Sequence, residues 1–281
     1  MKAPLSWYPL EPGDKRIYRQ EALEGDMAHP DFERWITEET VVRRQAVPDL
    51  QATLITQKTT VLSNRFSPDY LRANDWAARE KAESHILAYG DCLYVLDGLQ
   101  AQSGNASCAP EGERCAPALD SANHLRPEYA AALRRDEIPA DFCFPMRKGT
   151  DWGRVPSTSG AKEYVWFVSG LNADSFGAPG GRVFHLRSHL GSGTSIDRWF
   201  QHGVGVLQEI IEHHGTYDEN RRQLLSATIG GVTTEYHLQP ARIEPAGPGE
   251  CGGRGWRHFA RADGSRFENM ADCVRYFRNR K

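Results

Sequence analysis

The chain has 281 residues and a formal net charge of −3, and its composition is 40% hydrophobic and 25% charged. A chain of this length forms one large domain or two smaller ones and can bury a sizeable core. Its slightly acidic charge balance offers no attraction to a nucleic-acid backbone, so we expect no nucleic-acid partner. Because no apolar run approaches the length of a membrane-spanning helix, the sequence also predicts no transmembrane segment.

The N-terminus leaves two compartments open. It reads MKAPLSWYPL and lacks the apolar core of a signal peptide. The chain is therefore either cytoplasmic or the mature part of a cleaved precursor with an added initiator methionine. The cysteines favour the second alternative.

The cysteines are even in number, and no CxxC occurs that would indicate a zinc site or a redox dithiol. They are Cys92, Cys108, Cys115, Cys143, Cys251 and Cys273. The sequence does not choose among the possible pairings, although Cys108 and Cys115 flank a short loop. Cys251 and Cys273 bracket a compact segment. These two local pairs would leave Cys92 and Cys143 as a long-range pair. We expect at least two disulfides and a secreted or periplasmic location. The alternative is a set of free thiols in a reducing cytosol.

In chain order, a short internal echo comes first. Residues 8–13 read YPLEPG, and residues 144–149 read FPMRKG, 136 positions later. Proline suits the start of a strand better than its middle, and the glycine allows a tight turn. The echo predicts two β-rich halves of one domain, residues 1–140 and 141–239.

The first half is rich in Thr, Val and Ile, which predicts strands at 35–45, 50–62 and 92–96. Residues 74–89 indicate a helix by composition, with a strand from Glu83 onward as the alternative. Residues 98–125 indicate a long loop, and residues 127–137 a short helix.

The second half continues the β pattern with Gly-rich turns between short apolar runs. Strands are predicted at residues 164–168, 183–189, 204–214, 223–229 and 233–238. Many short strands at close spacing favour antiparallel pairing over βαβ units. The fold class is therefore mainly β (α+β), with few short helices.

The stretch HGVGVLQEIIEHHGTYDE, residues 202–219, is the strongest candidate for chemistry. Read as a strand, it places Val206, Gln208, Ile210, Glu212 and His214 on one face, and Leu207, Glu209, Ile211 and His213 on the other. Glu209 and His213 share a face but lie roughly 13 Å apart. That distance is too large for two ligands of one metal ion. The pattern predicts a polar hairpin with a turn near 215–220, and we expect no metal and no cofactor.

The alternative is a hydrolase or a metal-dependent enzyme. Its catalytic candidates are His202, Glu209, His213 and His214, completed by distant groups such as His185, His189 or His237. The chain contains no GxSxG elbow, no P-loop and no GxGxxG after a strand. Enzymatic activity is therefore an open alternative that we do not favour.

Two segments resemble a group of secreted or lipid-anchored bacterial proteins, most of which have no assigned activity. The first is residues 8–18, similar to a (Y/F)PLxxGxxWxY segment, although Arg16 stands where that pattern has tryptophan. The second copy of the echo has Trp152 at the position that corresponds to Arg16. The other segment is residues 199–207, WFQHGVGVL, similar to WFxxGVG. The resemblance implies a curved antiparallel sheet or half-barrel in the cell envelope.

Residues 250–281 resemble a small C-terminal module of secreted bacterial proteins, with the pattern CxxxGWxxF…FxNxxxCVxY. The resemblance implies a disulfide between Cys251 and Cys273. A segment this short needs a disulfide, or packing against a larger domain, to stabilise its core.

Together these features predict a secreted or periplasmic, non-enzymatic β-sheet protein. We expect it to bind an apolar or extended ligand, or an envelope partner, on a curved sheet. The candidate ligand-binding residues are Trp35, Trp166, Phe184 and Trp199, each of which is alternatively an ordinary core residue. A structural component of an extracellular assembly is the third alternative.

Overall fold

Strands dominate the structure, which is a computed structural model. It describes residues 3–24, 31–64, 83–96, 118–136, 138, 140–152, 155–156, 162–163, 166–171, 178–179, 183–190, 194–213, 219–238, 248–251, 256, 261 and 267–278. The strands are β1 (Lys15–Glu24), β2 (Asp31–Val47), β3 (Ala52–Asn64), β4 (Glu83–Tyr89), β5 (Cys92–Val95), β6 (Phe142–Cys143), β7 (Asp151–Trp152), β8 (Val155–Pro156), β9 (Lys162–Glu163), β10 (Trp166–Leu171), β11 (Val183–Leu190), β12 (Thr194–Gln201), β13 (Gly205–His213), β14 (Glu219–Ile229) and β15 (Val232–Glu235).

The helices of the described residues are short. They are α1 (Ala3–Trp7), α2 (Pro127–Arg134) and α3 (Met270–Arg278), with 3-10 turns at Pro48–Leu50 and Pro248–Cys251. No helix within these residues has the length and apolar character needed to cross a membrane.

Within the described residues, thirteen strands form one antiparallel sheet, and β8 and β9 form a separate pair. The sheet order is β6-β5-β4-β3-β2-β1-β14-β13-β12-β11-β10-β7, and β15 also pairs with β14. Two meanders therefore meet edge to edge at β1 and β14. Strands from both predicted halves belong to this one sheet.

Contacts across the sheet show that it curls into a half-barrel. Arg198 on β12 lies over the ring of Phe142 on β6, and Phe142 also contacts Phe200 with ring centroids 5.5 Å apart. Strands β6 and β12 are far apart in the sheet order, so they meet only across its concave side. At the two edges, the indole Nε1 of Trp152 donates to the Ala140 carbonyl at 3.0 Å. The predicted mainly-β curved sheet is confirmed.

Aromatic rings fill one end of the concave side. Tyr8 meets Phe142 and Phe200 edge-on, and Trp7 packs against Phe144 and against Phe184. This cluster lies where α1 and the segment before β7 enter the half-barrel, and it is part of the hydrophobic core.

The internal echo has the same hydrogen bonds in both copies. The amide of Gly13 donates to the Val41 carbonyl, and the amide of Val41 donates to the carbonyl of Asp14. In the second copy, Gly149 and Thr150 bond Val168 in the same way. Both glycines have positive φ, 94° and 85°, as the tight turn requires. The two copies are therefore structural repeats that lead into β1 and β7.

The chain divides into two compact units, one of Met1–Ala173 with Pro179–His237 and one of Asp174–Ala178 with Leu238–Lys281. In the second unit a disulfide joins Cys251 to Cys273. Phe267 meets Tyr276 edge-on at 5.4 Å between centroids, and Arg261 donates to Asp272 at 2.5 Å. The domain limits given above, including a module at 250–281, stay predictions.

In the first unit a disulfide joins Cys92 on β5 to Cys143 on β6, two residues that are direct cross-strand neighbours. Cys108 and Cys115 lie outside the described residues. Residues 83–89, predicted first as helix, form β4, because their tertiary setting in the sheet outweighs helical composition. The strand expected after each copy of the echo is found as β1 and β7, whereas β12 and helix α3 were not predicted.

Candidate functional site

The histidine-rich segment is a pleated strand, as predicted, with one irregularity. Phe200 pairs with Val206, while the next residue back, Trp199, pairs with Gln208, so Leu207 is an extra residue in β13. This β-bulge puts Val206 on the same face as Glu209. The simple alternation, which had placed these two on opposite faces, was wrong at this point.

The candidate catalytic residues of the segment are spread out. His202 is exposed in the turn before β13, and its ring meets Trp7 edge-on at 4.6 Å between centroids. Glu209 points into the concave side and forms an ion pair with Arg198. His213 ends β13, but its side chain lies outside the described residues, as does the whole of His214. Thus the described atoms bring no two of these side chains together.

One residue from each of five neighbouring strands forms a line across the concave face. In order they are Trp35 on β2, Gln20 on β1, Arg222 on β14, Glu209 on β13 and Arg198 on β12. Each is directly opposite the next in register, so all five side chains are on the same face. That face is the concave one, because the Arg198 guanidinium lies 4.4 Å from the ring centroid of buried Trp166. We call these five residues the interior row.

Carboxylates accompany both arginines of the interior row. Arg198 pairs with Glu209 within the row, and its Nη1 lies 3.7 Å from Asp141 Oδ1. Arg222 extends over Tyr18, with its guanidinium 3.7 Å from the ring centroid, and Nη2 donates to Glu39 at 2.5 Å. Acidic and basic groups therefore alternate across the half-barrel.

The pKa shifts keep most of these groups in fixed protonation states at neutral pH. Burial would raise the pKa of Glu209, but the charges of Arg198 and Arg222 outweigh burial and hold that pKa below its usual value. Burial would lower the pKa of Arg222, yet Glu39 and Tyr18 raise it overall. Burial raises the pKa of Tyr18 well above its usual value. General acids and bases work best with a pKa near the working pH, which these three groups do not have.

Arg16 occupies the deepest position near the row and is fully buried. Its Nε donates to the Val204 carbonyl at 2.8 Å, and its Nη2 donates to the Pro9 carbonyl at 2.6 Å. The guanidinium also lies over the ring of Tyr8, 4.6 Å from the centroid. Backbone carbonyls and a ring face thus surround this cation, and no ion pair with a carboxylate is found among the described residues.

Three of the four aromatic candidates for ligand binding are core residues in this conformation. Trp166, Phe184 and Trp199 are 1%, 4% and 2% exposed. Trp166 and Phe184 face the concave side, whereas Trp199 is on the opposite face, stacked on His185 at 4.7 Å between centroids. Trp35 is partly exposed and lies in the interior row. A binding role for each of them stays a prediction.

A second polar cluster lies on the face opposite the interior row. His185 Nε2 is 2.6 Å from Asp197 Oδ1, and Arg187 Nε donates to the same oxygen at 2.9 Å. Burial would raise the pKa of Asp197, but the bonds and charges of His185 and Arg187 outweigh it and hold that pKa below its usual value. His185 was one of the distant groups considered for a histidine site, and it pairs with an aspartate instead.

Within the residues that the structure describes, no group of three or more His, Cys, Asp or Glu side chains is arranged to hold a metal ion. The sequence predicted no functional role for the arginines of the concave face, although Arg16 was noted as a departure from the resembled pattern. The signal that could have found Arg16 is its place in the repeat, where the second copy has Trp152. Arg198 and Arg222 lie in β-strands whose pairing brings them together from distant parts of the chain.

No family model matches the chain, and no curated protein matches it. Among solved structures, it is similar to a candidate exported protein with a YmcC-like fold from Bacteroides fragilis, with a TM-score of 0.39 and 9% identity over 82% of this chain and 99% of that one. It is also similar to a candidate lipoprotein from Parabacteroides distasonis, with a TM-score of 0.38 and 6% identity over 81% and 98%. Likenesses of this size carry no conclusion about the activity of this chain.

Proposed function

We propose that this protein is an exported, non-catalytic β-sheet protein that binds an extended ligand on the concave face of its half-barrel. The Cys92–Cys143 and Cys251–Cys273 disulfides support the compartment. Disulfides persist in oxidising environments and are rare in a reducing cytosol. The secreted or periplasmic location is part of the proposal.

The observation that supports binding is the partial exposure of the interior row beside a fully buried aromatic end. Tyr18 and Phe200, toward the aromatic end, are fully buried. Farther along the strands, in the interior row, the side chains of Arg222 and Arg198 are 23% and 15% exposed. Trp35 in the same row is also partly exposed. Solvent therefore reaches the interior row, and so can a ligand that enters from this end.

The row combines an aromatic ring at one end with polar groups along the rest. A ligand with an apolar part can contact Trp35, and its polar part can meet the charged residues. Binding sites commonly pair an apolar lining with a small number of placed polar groups. An extended ligand that spans the row fits this arrangement better than one that is apolar throughout.

A hydrolase is less well supported. His202 lies in a surface turn, and Glu209 lies inside the half-barrel in an ion pair with Arg198. Catalysis needs its groups within hydrogen-bond reach of one reacting atom. A screen of hydrolytic activity across pH, with metal analysis of the purified protein, tests this alternative. Turnover that is lost in His202→Ala would contradict a non-catalytic role.

Binding itself can be tested with the neutral fluorescent probe N-phenyl-1-naphthylamine, whose emission rises in an apolar site. We expect saturable binding to the folded protein. Replacement Trp35→Ala should weaken the affinity roughly thirtyfold, because burying a large apolar side chain contributes on the order of 2 kcal/mol and each 1.4 kcal/mol is about a factor of ten. The matched control is Val232→Ala, which removes exposed apolar surface from the β14–β15 hairpin. An absence of saturable binding, or equal affinities for wild type and Trp35→Ala, would refute ligand binding at this face.

A further inference from the structure

The concave side holds buried donors that make no hydrogen bond to the described residues, although one of them, Arg198 Nη1, has a longer ion-pair contact of 3.7 Å with Asp141. They are Arg16 Nη1, Gln57 Nε2, Trp166 Nε1, Arg198 Nη1 and Arg222 Nε. All five are donors. Their side chains are on the concave face, since each shares a strand face or a register pair with residues of the interior row or of the core.

A buried donor without an acceptor is costly, so groups of this kind usually have a partner. Arg16, Gln57 and Trp166 are 0%, 5% and 1% exposed, so bulk solvent does not satisfy them. Three of the five, Arg198 Nη1, Arg222 Nε and Trp166 Nε1, belong to the interior row or pack against it, and their missing hydrogen bonds indicate that an acceptor-rich group belongs there.

The arginines show how such a group would be held. Each has one nitrogen hydrogen-bonded to a carboxylate and one buried nitrogen that is not hydrogen-bonded: Arg198 uses Nε for Glu209, and Arg222 uses Nη2 for Glu39. Their remaining donors, Arg198 Nη1 and Arg222 Nε, lie on the two sides of Glu209 in the interior row. The ring of Trp166 lies under the Arg198 guanidinium, which brings the indole Nε1 into the same region.

The positive charge available to an anion on this face depends on how its carboxylates are engaged. Arg16, Arg198 and Arg222 are accompanied by three carboxylates, of which Glu39 and Glu209 are held in ion pairs. The third is Asp141, and burial raises its pKa despite the nearby Arg198. Any protonation of Asp141 leaves the arginines in excess. Arginine binds carboxylate and phosphate oxygens better than other side chains do, because its donors are planar and spread.

We propose that the concave interior binds the anionic head, a carboxylate or phosphate, of an amphipathic ligand through Arg198, Arg222 and Trp166. The proposal rests on the proposed function, since it names the chemical class of the ligand bound at that face. Trp35, at the other end of the interior row, contacts the apolar part of the ligand.

The test is isothermal titration calorimetry with probes that share one chain and differ in the head: decanoate, decyl phosphate, decanol and decyltrimethylammonium. We expect decanoate and decyl phosphate to bind at least about tenfold more tightly than decanol, as charge-assisted hydrogen bonds require. The ammonium probe should bind most weakly. Inorganic phosphate serves as a head without a chain and should bind more weakly than decyl phosphate.

Two conservative variants identify the donors. Arg222→Lys keeps the charge beside Glu39 and removes the Nε donor, and Trp166→Phe keeps a ring and removes the indole N–H. Each should weaken decanoate binding roughly tenfold and leave decanol binding unchanged. Arg19→Lys, on the opposite face of β1, is the matched control and should change neither. Thermal unfolding establishes that each variant is folded, and either folded variant suffices for the comparison.

The outcomes separate the two proposals. Binding of decanol as tight as that of decanoate, or unchanged decanoate affinity in the folded variants, would leave ligand binding standing but overturn the anionic head, with ordered water as the partner of the donors. Inorganic phosphate that binds as tightly as decyl phosphate would overturn the amphipathic ligand. Failure of every decyl probe to bind would refute the proposed function itself.

Discussion

At the scale of single residues, Arg16 shows what the sequence can and cannot predict. The repeat locates it, because it stands three positions after Gly13 as Trp152 stands after Gly149. Both side chains donate to a backbone carbonyl of the other half of the chain. The partner of Arg16 is Val204, 188 positions away, and no local pattern specifies a contact over that distance.

Gly205 begins β13 beside Tyr8 and carries a precise steric requirement. Its φ is +111°, and a Cβ at this position would lie 2.3 Å from a ring carbon of Tyr8. Replacement Gly205→Ala should therefore destabilise the fold by about 3 kcal/mol, from backbone strain together with overpacking. Gly203→Ala is the matched control, because Gly203 also has positive φ but has no atom within 4 Å of its Cβ position. Urea unfolding measures both, and equal losses would argue against a clash with Tyr8.

Asp197 should make stability depend on pH. Because its folded pKa is held below the usual value, its contribution is fully present above the unfolded pKa of about 3.9 and is lost as the pH falls through the folded pKa. Asp197→Asn should lower the free energy of unfolding by about 2 kcal/mol at pH 7, since Arg187 and His185 lose the buried carboxylate to which they are hydrogen-bonded. Unfolding by urea at a series of pH values checks this expectation. The difference between wild type and variant should shrink in acid, whereas a constant difference would exclude an ionic contribution. Asp49→Asn, at an exposed carboxylate, is the control.

At the scale of elements, most strands with a marked apolar pattern were predictable, including β13 and β14, which carry Glu209 and Arg222 on the inner face. The predicted strands near 35–45, 50–62 and 183–189 match β2, β3 and β11. In contrast, β1 and β12 bury Arg16 and place Arg198 inside, so neither shows the alternation that marks a half-buried strand. Arg198 belongs to the interior row, so one member of the row lies on a strand that apolar alternation does not reveal.

The β-bulge at Leu207 is a feature within a strand that the sequence pattern did not predict. Alternation correctly placed Glu209 and Ile210 on opposite faces, but an extra residue in the ladder cannot be seen in apolar periodicity. As a result Val206 and Glu209, which are three residues apart, both face the concave side, and Val206 belongs to the core. The row therefore begins directly beyond the aromatic end of the half-barrel.

At the scale of the whole molecule, the sheet joins two meanders through β1 and β14, whose residues are about two hundred positions apart in sequence. The repeat predicted two β-rich halves, and the curved sheet followed from resemblance, but the sequence contains no signal for which edges meet. The concave interior, with its aromatic end and its charged row, exists only once that pairing forms. Ligand binding at this interior is the central claim at this scale.

The most direct test of that claim is an NMR titration of isotopically labelled protein with decanoate. Signals of the Trp35 indole and of the Arg198 and Arg222 Nε groups should shift in a saturable manner. Signals of Arg19 and Gln223, which lie on the opposite face of the same strands, should stay in place. Shifts on that opposite face with none at the interior row, or no saturable shift at all, would contradict binding inside the half-barrel.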